Sequence, residues 1–277
     1  MGVNVLSLAE WNSVCDEKPL SSFDIARVKK SMFTTPGVPD SHRGLLWTHL
    51  LQAHATQKLH FCLYSKLCKV QTECMQHLDD NFVKDKIGER SKLVENKKFY
   101  TVDPEKLRRI VTAYGSVDET AAKCYVGYNY IVTLLCRFIA PKPEYDLNEE
   151  LVFWSLFALM QDLGWRDLFI SQKVKQEFTE EFQQTFRIRY DHLYTRLENE
   201  LGYSPDFMLE SLVSRYFEPI FCYGMPIEIT KHIVDWFLWH RKGLHSLSFI
   251  FFRSLDLMQA KIDQLTDQEL DRYMQDC

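Results

Sequence analysis

The sequence has few of the residues that turns between short strands require. Its 277 residues include only 10 Gly and 9 Pro, which is few for an all-β protein of this length. Alternation of apolar and polar residues is rare, and no Asn-Gly or Asp-Gly pair marks a hairpin. The sequence therefore predicts an all-α fold.

Metal and nucleotide motifs are also missing. None of the eight cysteines forms a Cys-x-x-Cys pair, and His232, His240 and His245 lack the spacing of a zinc site. We interpret the cysteines as reduced thiols of an intracellular protein. The sequence contains no G-x-x-x-x-G-K-[ST], G-x-G-x-x-G or G-x-S-x-G pattern. We therefore expect no metal, no cofactor and no nucleotide site of the chain's own.

The chain lacks an excess of basic charge and a long uncharged apolar run. A net charge of -5 and a pI near 6.0 do not favour binding to nucleic acid. The longest apolar stretch is interrupted by Arg137, which argues against a transmembrane segment. The first eight residues have no basic region followed by an apolar core, so no signal peptide is expected.

One stretch, 123–140, stands out as the centre of the chain. Apolar residues occupy almost every side of a helix drawn through it, which is typical of a helix buried on all sides. Gly127 and three tyrosines lie near its amino end, where we expect a binding site. The complete set of expected helices is 7–16, 22–28, 39–51, 59–82, 104–114, 123–140, 151–163, 172–201, 207–221, 227–240, 244–262 and 267–273. The polar run 84–98 is expected to be an exposed loop or a weak helix.

The order of several motifs resembles the TBC domain of Rab GTPase-activating proteins. The segment from Gly37 through Pro39 and Arg43 to Trp47 is similar to the opening pattern of that family. Further matches follow in family order and cover roughly residues 36–258: Leu107, Ile110, Ala113, Tyr114, Gly127, Asn129, Tyr130, Ile131, Phe153, Trp154, Phe217, Ile233 and Asp235. The resemblance implies a multi-helix TBC fold. It divides the chain into an N-terminal helical extension (1–35), a TBC-like domain (36–262) and a C-terminal tail (263–277).

The resemblance implies catalysis by two inserted side chains, an arginine and a glutamine, which act on GTP bound to the partner. In this sequence the arginine position falls on Tyr100 and the glutamine position on Val126. No arginine lies between residues 90 and 108, and no glutamine between residues 76 and 161. A small shift of alignment therefore restores neither residue, and we expect a TBC domain without its catalytic pair.

The resemblance also assigns two groups of residues. The expected partner-binding residues are Lys97, Lys98, Tyr100, Thr101, Val126, Gly127, Tyr128 and Asn129. The expected structural residues are Gly37, Pro39, Arg43, Trp47 and Asp235. Arg43 is expected to pair a carboxylate near the first helix of the domain, and Asp235 to cap a helix or accept a core hydrogen bond.

Three functions remain open from the sequence. The preferred one is a cytoplasmic, non-catalytic binder of a GTP-bound Rab-type GTPase, which acts in vesicle trafficking and reaches endomembranes through its partners. The second is an active GTPase-activating protein that uses Arg108 or Arg109 as a substitute. The third is a TBC-fold interaction scaffold with no GTPase partner.

Overall fold

A computed structural model describes residues 6–7, 10–11, 22–34, 37–69, 92–96, 98–122, 125–140 and 146–275. In the first part of the chain the elements are α1 (Ser22–Met32), α2 (Asp40–Leu50), α3 (Ala53–Leu59), α4 (Leu63–Leu67), β1 (Leu93–Glu95), β2 (Lys98–Tyr100), α5 (Pro104–Val117), α6 (Glu119–Ala122) and α7 (Tyr125–Ile139). The rest are α8 (Asp146–Phe157), α9 (Arg166–Ile170), α10 (Gln172–Arg189), α11 (Asp191–Thr195), α12 (Pro205–Leu212), α13 (Ile227–His240), α14 (Leu244–Ile262) and α15 (Asp267–Gln275). Single π-helical turns extend α8, α11 and α12. The predicted all-α fold is confirmed.

Helix α7 lies in the middle of the core, between α2, α5 and α8. Its apolar side chains from Ile131 to Leu135 are almost fully buried. Gly44 allows α2 to approach closely, because a Cβ atom at this position would lie 2.1 Å from the carbonyl oxygen of Phe138. The Trp47 ring meets the edge of Phe138 at a centroid distance of 4.9 Å. The contact between α2 and α7 therefore depends on Gly44, which leaves room for the α7 backbone, and on Trp47, which packs against Phe138.

Two long helices expected from the sequence are interrupted. The helix expected over 59–82 does not begin at Leu59, because α3 ends there. Cys62 takes a left-handed conformation with φ of 64°, and α4 covers only Leu63–Leu67; residues 70–91 lie outside the described part. The helix expected over 172–201 ends at Arg189 because Tyr190 leaves helical geometry, with φ of -126°. The Tyr190 hydroxyl hydrogen-bonds to the carbonyl of Phe252, 2.8 Å away. A contact from a distant helix thus fixes a break that apolar periodicity does not show.

A small antiparallel hairpin forms where the sequence predicted a loop or weak helix. Strands β1 and β2 pair with Leu93 opposite Tyr100 and Glu95 opposite Lys98. Asn96 occupies the turn with φ of 48°, a conformation that asparagine tolerates better than most residues. The hairpin ends at the residues expected to carry the arginine of the family, so its anchoring bears directly on function.

Candidate functional site

A buried polar network joins α2 to α13. The Arg43 Nε atom lies 3.2 and 3.1 Å from the two carboxylate oxygens of Asp235, and Trp47 donates to the same carboxylate over 2.7 Å. Arg43 also donates to the Val38 carbonyl over 2.8 Å. The Arg43 and Asp235 side chains are 0% and 1% exposed, so this network supports the fold rather than a ligand.

The ionisation of Asp235 is set by opposing effects. Burial raises its pKa to about 6, while Arg43 and the Trp47 indole N–H act in the opposite direction. Gly37 lies just before Val38 and α2, and its φ of +80° is unfavourable for residues with a side chain. Pro39 then precedes the first residue of α2 in extended conformation.

The hairpin is attached to the amino end of α13. Val94 forms an isolated parallel bridge with Pro226. The backbone N–H of Asn96 donates to the Glu228 carboxylate over 2.8 Å. Since these contacts join parts of the chain about 130 residues apart, the hairpin is a fixed element of the fold.

The hairpin is also attached to the carboxyl end of α7. Arg137 donates to both oxygens of Glu95 at 2.5–3.1 Å, and its guanidinium carbon lies 5.5 Å from the centre of the Tyr100 ring. Burial raises the pKa of Tyr100 to about 12, with a smaller contribution from Cys136. The Tyr100 hydroxyl is therefore neutral at physiological pH. Lys98 and Thr101 are exposed next to it, whereas Lys97 lies outside the described residues.

The amino end of α7 is packed against α9. A Cβ atom at Gly127 would lie 2.4 Å from the Phe169 ring, so this glycine allows the ring to cover the helix. The Tyr128 ring contacts Phe169 at 6.1 Å and is completely buried, and Asn129 is 2% exposed. The structure thus places Tyr128 and Asn129 in the interior, away from any surface that a partner reaches. The Val126 side chain lies outside the described part.

The two positions assigned to the catalytic pair lie at opposite ends of α7. Tyr100 packs against Arg137, which is eleven residues after Val126 in the helix. At 1.5 Å per residue this separation is roughly 16 Å along the helix axis. Tyr100 therefore packs beside the carboxyl half of α7, whereas Val126 lies in its first turn.

A polar cluster beside the amino end of α7 was not predicted from the sequence. Arg166 donates to both Asp118 oxygens at 2.5 and 3.2 Å. Gln161 donates to Asp118 and to the Tyr114 hydroxyl, each over 3.0 Å. Burial opposes ionisation of Asp118, but these hydrogen bonds and one from the Ala121 N–H outweigh it and lower its pKa. An arginine from α9, the helix that carries Phe169, and a glutamine from the π-helical turn after α8 thus converge on one carboxylate.

Comparison with known proteins agrees with the fold and the motifs. A sequence model of the Rab-GTPase-TBC domain family matches residues 40–262. This chain belongs to the Rab-GTPase-TBC domain family. The crystal structure of the Chlamydomonas flagellar RabGAP TBC domain is similar, with a TM-score of 0.66 and 16% sequence identity over 97% of this chain and 84% of that one; the likeness shows a shared fold. No curated protein sequence matches significantly.

Both substitute arginines suggested by the sequence are engaged in this TBC domain. Arg108 pairs with Glu105 one turn earlier, at 3.0 Å. Arg109 donates two bonds of 2.9 and 2.7 Å to Glu149, which also accepts a bond of 2.6 Å from Tyr64. Burial opposes ionisation of Glu149, but the bonds from Arg109 and Tyr64 outweigh it and lower its pKa. Arg109 is therefore part of the packing between α5 and α8.

Two further properties of the TBC domain concern metals and membranes. In the described ranges, no group of three or more His, Cys, Asp or Glu side chains has the arrangement of a metal site. None of the helices between residues 22 and 275 that the structure describes has the length and apolarity needed to cross a bilayer.

Proposed function

We propose that this TBC domain binds a GTP-bound Rab-type GTPase and does not accelerate hydrolysis through the two inserted side chains of its family. The observation that carries the proposal is the residue present at each of the family's arginine and glutamine positions. Tyr100 and Val126 occupy those positions. The binding domain in this proposal is 36–262, flanked by the extension 1–35 and the tail 263–277.

The chemistry of these two side chains supports the proposal. An arginine supplied in trans accelerates GTP hydrolysis by about 10³–10⁵ because it neutralises charge on the phosphates. Tyr100 is neutral at physiological pH, since burial raises its pKa to about 12, and valine has no polar atom to orient a water molecule. Nucleotide-dependent binding requires neither residue, so a regulator can retain recognition without catalysis.

Single-turnover GTP hydrolysis by a panel of Rab-type GTPases, combined with binding to their GTP-loaded and GDP-loaded forms, tests this function. We expect tighter binding to the GTP form of at least one GTPase and less than tenfold acceleration. If no GTPase binds in either state, the scaffold function replaces the proposal. The cellular site in this proposal is the cytoplasmic face of endomembranes, where an active Rab-type GTPase would recruit the chain.

A second candidate function is an active GTPase-activating protein whose catalytic groups are Arg166 and Gln161. The shared contact of both residues with Asp118 brings an arginine and a glutamine together next to the Gly127 end of α7. Arg166 is held by Asp118 as Arg109 is held by Glu149, so this activity requires the Arg166–Asp118 pair to open. Acceleration above tenfold that disappears in Arg166→Ala and persists in Arg108→Ala would establish it.

Restoring the family residues provides an independent test of the proposal. The double variant Tyr100→Arg with Val126→Gln is expected to remain inactive, because an arginine at position 100 would face the Arg137 guanidinium, which now lies 5.5 Å from the Tyr100 ring, on a hairpin held by Val94 and Asn96. Hydrolysis raised 100-fold or more by this variant would show that only the side-chain chemistry had been lost. Unchanged binding to the GTP-loaded partner is the control for folding.

A further inference from the structure

Four aromatic rings form a continuous row on the surface where three helices meet. We call Phe33, His240, Trp236 and Phe249 the aromatic strip. The ring centroids of Phe33 and His240 lie 6.1 Å apart, those of His240 and Trp236 3.9 Å, and those of Trp236 and Phe249 5.2 Å. Phe33 and Phe249, at the two ends, are 41% and 55% exposed. Such a row leaves a large apolar area in water at the junction of α1, α13 and α14.

Positive charges border the strip on α1, on α14 and in the turn between α13 and α14. Arg253 follows Phe249 by one turn in α14, so these two side chains share a helix face. Lys29 lies in the last turn of α1, four residues before Phe33, which follows the end of that helix. Burial lowers the pKa of His240, and the charges of Lys29 and Lys242 lower it further; Lys242 follows His240 by two residues. Lys29, Lys242 and Arg253 are exposed.

The carboxylates of α13 and α14 do not offset these charges, because each contacts a group elsewhere. Glu228 accepts the Asn96 N–H, Asp235 accepts from Arg43, and Asp256 is paired with Arg189. The strip is thus bordered by cations in a chain whose net charge is -5. This local concentration of charge indicates an anionic binding partner.

We propose that the aromatic strip docks directly on an anionic lipid bilayer. Aromatic side chains prefer the boundary between lipid headgroups and acyl chains, and exposed lysines and arginines gain affinity from a negative lipid surface. A plane of lipid phosphates contacts cations on α1, on α14 and in the turn between α13 and α14 at once, whereas an acidic peptide would have to follow all three segments. Each cation is expected to change the partition between water and membrane roughly fivefold.

Cosedimentation of the full chain with vesicles tests the proposal without a GTPase present. We expect binding to vesicles of phosphatidylcholine with 30% phosphatidylserine, weaker binding at high salt, and little binding to phosphatidylcholine alone. The double variant Phe33→Ser with Phe249→Ser is expected to lower the partition coefficient at least tenfold. Its matched control is Leu257→Ser with Met258→Ser, which removes two exposed apolar side chains (71% and 51%) outside the strip.

Charge-reversal variants distinguish the effect of the strip cations on vesicle binding from the effect of the net charge of the protein. Lys29→Glu with Lys242→Glu is expected to abolish most binding to anionic vesicles, whereas Lys173→Glu with Lys261→Glu changes net charge equally and is expected to retain it. Circular dichroism melting curves verify folding of every variant. Equal losses in strip and control variants, or equal binding to both vesicle types, would overturn the proposal. The proposal would also be overturned if the strip variants lost binding to a GTPase but kept binding to vesicles, since the strip would then be a protein interface.

Discussion

Replacing Arg43 by methionine tests the buried network most directly. The substitution retains most of the side-chain volume but leaves the Asp235 carboxylate, 1% exposed, with the Trp47 indole N–H as a remaining donor. Removing one partner of a buried ion pair costs about 3–5 kcal/mol, because an uncompensated charge remains in the interior. At about 2–4 °C per kcal/mol for a domain of this size, the Tm is expected to fall by about 10 °C at pH 7.5.

The loss of stability is expected to depend on pH. Burial already raises the pKa of Asp235 to about 6 from an ordinary value of 3.8, so the folded state binds this proton more tightly than the unfolded chain. Ionisation of Asp235 therefore costs stability as pH rises from about 4 to 6. Arg43 is one of the groups that lower this pKa. Its removal raises the pKa further, and the gap in unfolding free energy between wild type and variant is expected to narrow at pH 5 by at least about 1 kcal/mol.

Urea denaturation followed by circular dichroism at pH 5 and pH 7.5 measures both effects. The double variant Arg43→Met with Asp235→Asn is the control, because an amide oxygen still accepts the Trp47 N–H and carries no charge. It is expected to recover more than half of the loss at pH 7.5. A cost below about 1 kcal/mol for Arg43→Met, or the same cost at both pH values, would refute this account of the network.

Three further substitutions test a close helix contact, an ion pair of the hairpin and a helix cap. Gly44→Ala is expected to cost about 3 kcal/mol in urea denaturation, because the new Cβ would lie 2.1 Å from the carbonyl oxygen of Phe138. Glu95→Gln removes the negative charge that pairs with Arg137 at 2.5 Å. Because both side chains are about a quarter exposed, the unfolding free energy is expected to fall by about 1 kcal/mol. Amide hydrogen exchange in β1 and β2 is expected to become faster. Ser204→Ala removes the side chain that caps α12 and is expected to cost about 1 kcal/mol in thermal unfolding.

Each of these substitutions has a control or a contradictory result. Gly202→Ala has open space around the new methyl group and is expected to cost only about 1–2 kcal/mol from its positive φ; a similar cost for Gly44→Ala would argue against the close approach of α2 and α7. Unchanged exchange in Glu95→Gln would show that the contacts with α13 alone hold the hairpin. A Ser204→Asp variant that is no more stable than Ser204→Ala would argue against capping.

The two helices that the sequence predicted best each begin after a residue with a strong backbone preference. The expected bounds of α13 and α14 agree with the structure. Pro226 precedes α13, and Gly243, with φ of +55°, separates it from α14. Such residues fix helix ends through their own backbone preferences. The breaks before α4 and after α10 lack such signals, because a contact from Phe252 to Tyr190 decides one of them.

The candidate site was less accessible to prediction because distant contacts form it. The assignment of Tyr100 to the arginine position rests on sequence order, whereas its contact with Arg137 of α7 is seen only in the structure. The cluster of Arg166 and Gln161 on Asp118 joins residues more than 40 positions apart. The spacing of residues in the sequence gives no signal for such a cluster. The order of motifs over roughly residues 36–258, in contrast, was enough to indicate the family.

The bond between Arg43 and Asp235 spans 192 positions of the sequence, which has a consequence for synthesis of the protein in the cell. A ribosome that adds about 5–20 residues per second needs roughly 10–40 s to proceed from one residue to the other. During this interval Arg43 and the Trp47 ring have emerged without the carboxylate that joins them in the finished fold. The nascent chain therefore presents an unfinished first helix of the domain to chaperones for most of its translation, and that part of the fold closes only after Asp235 has left the ribosome.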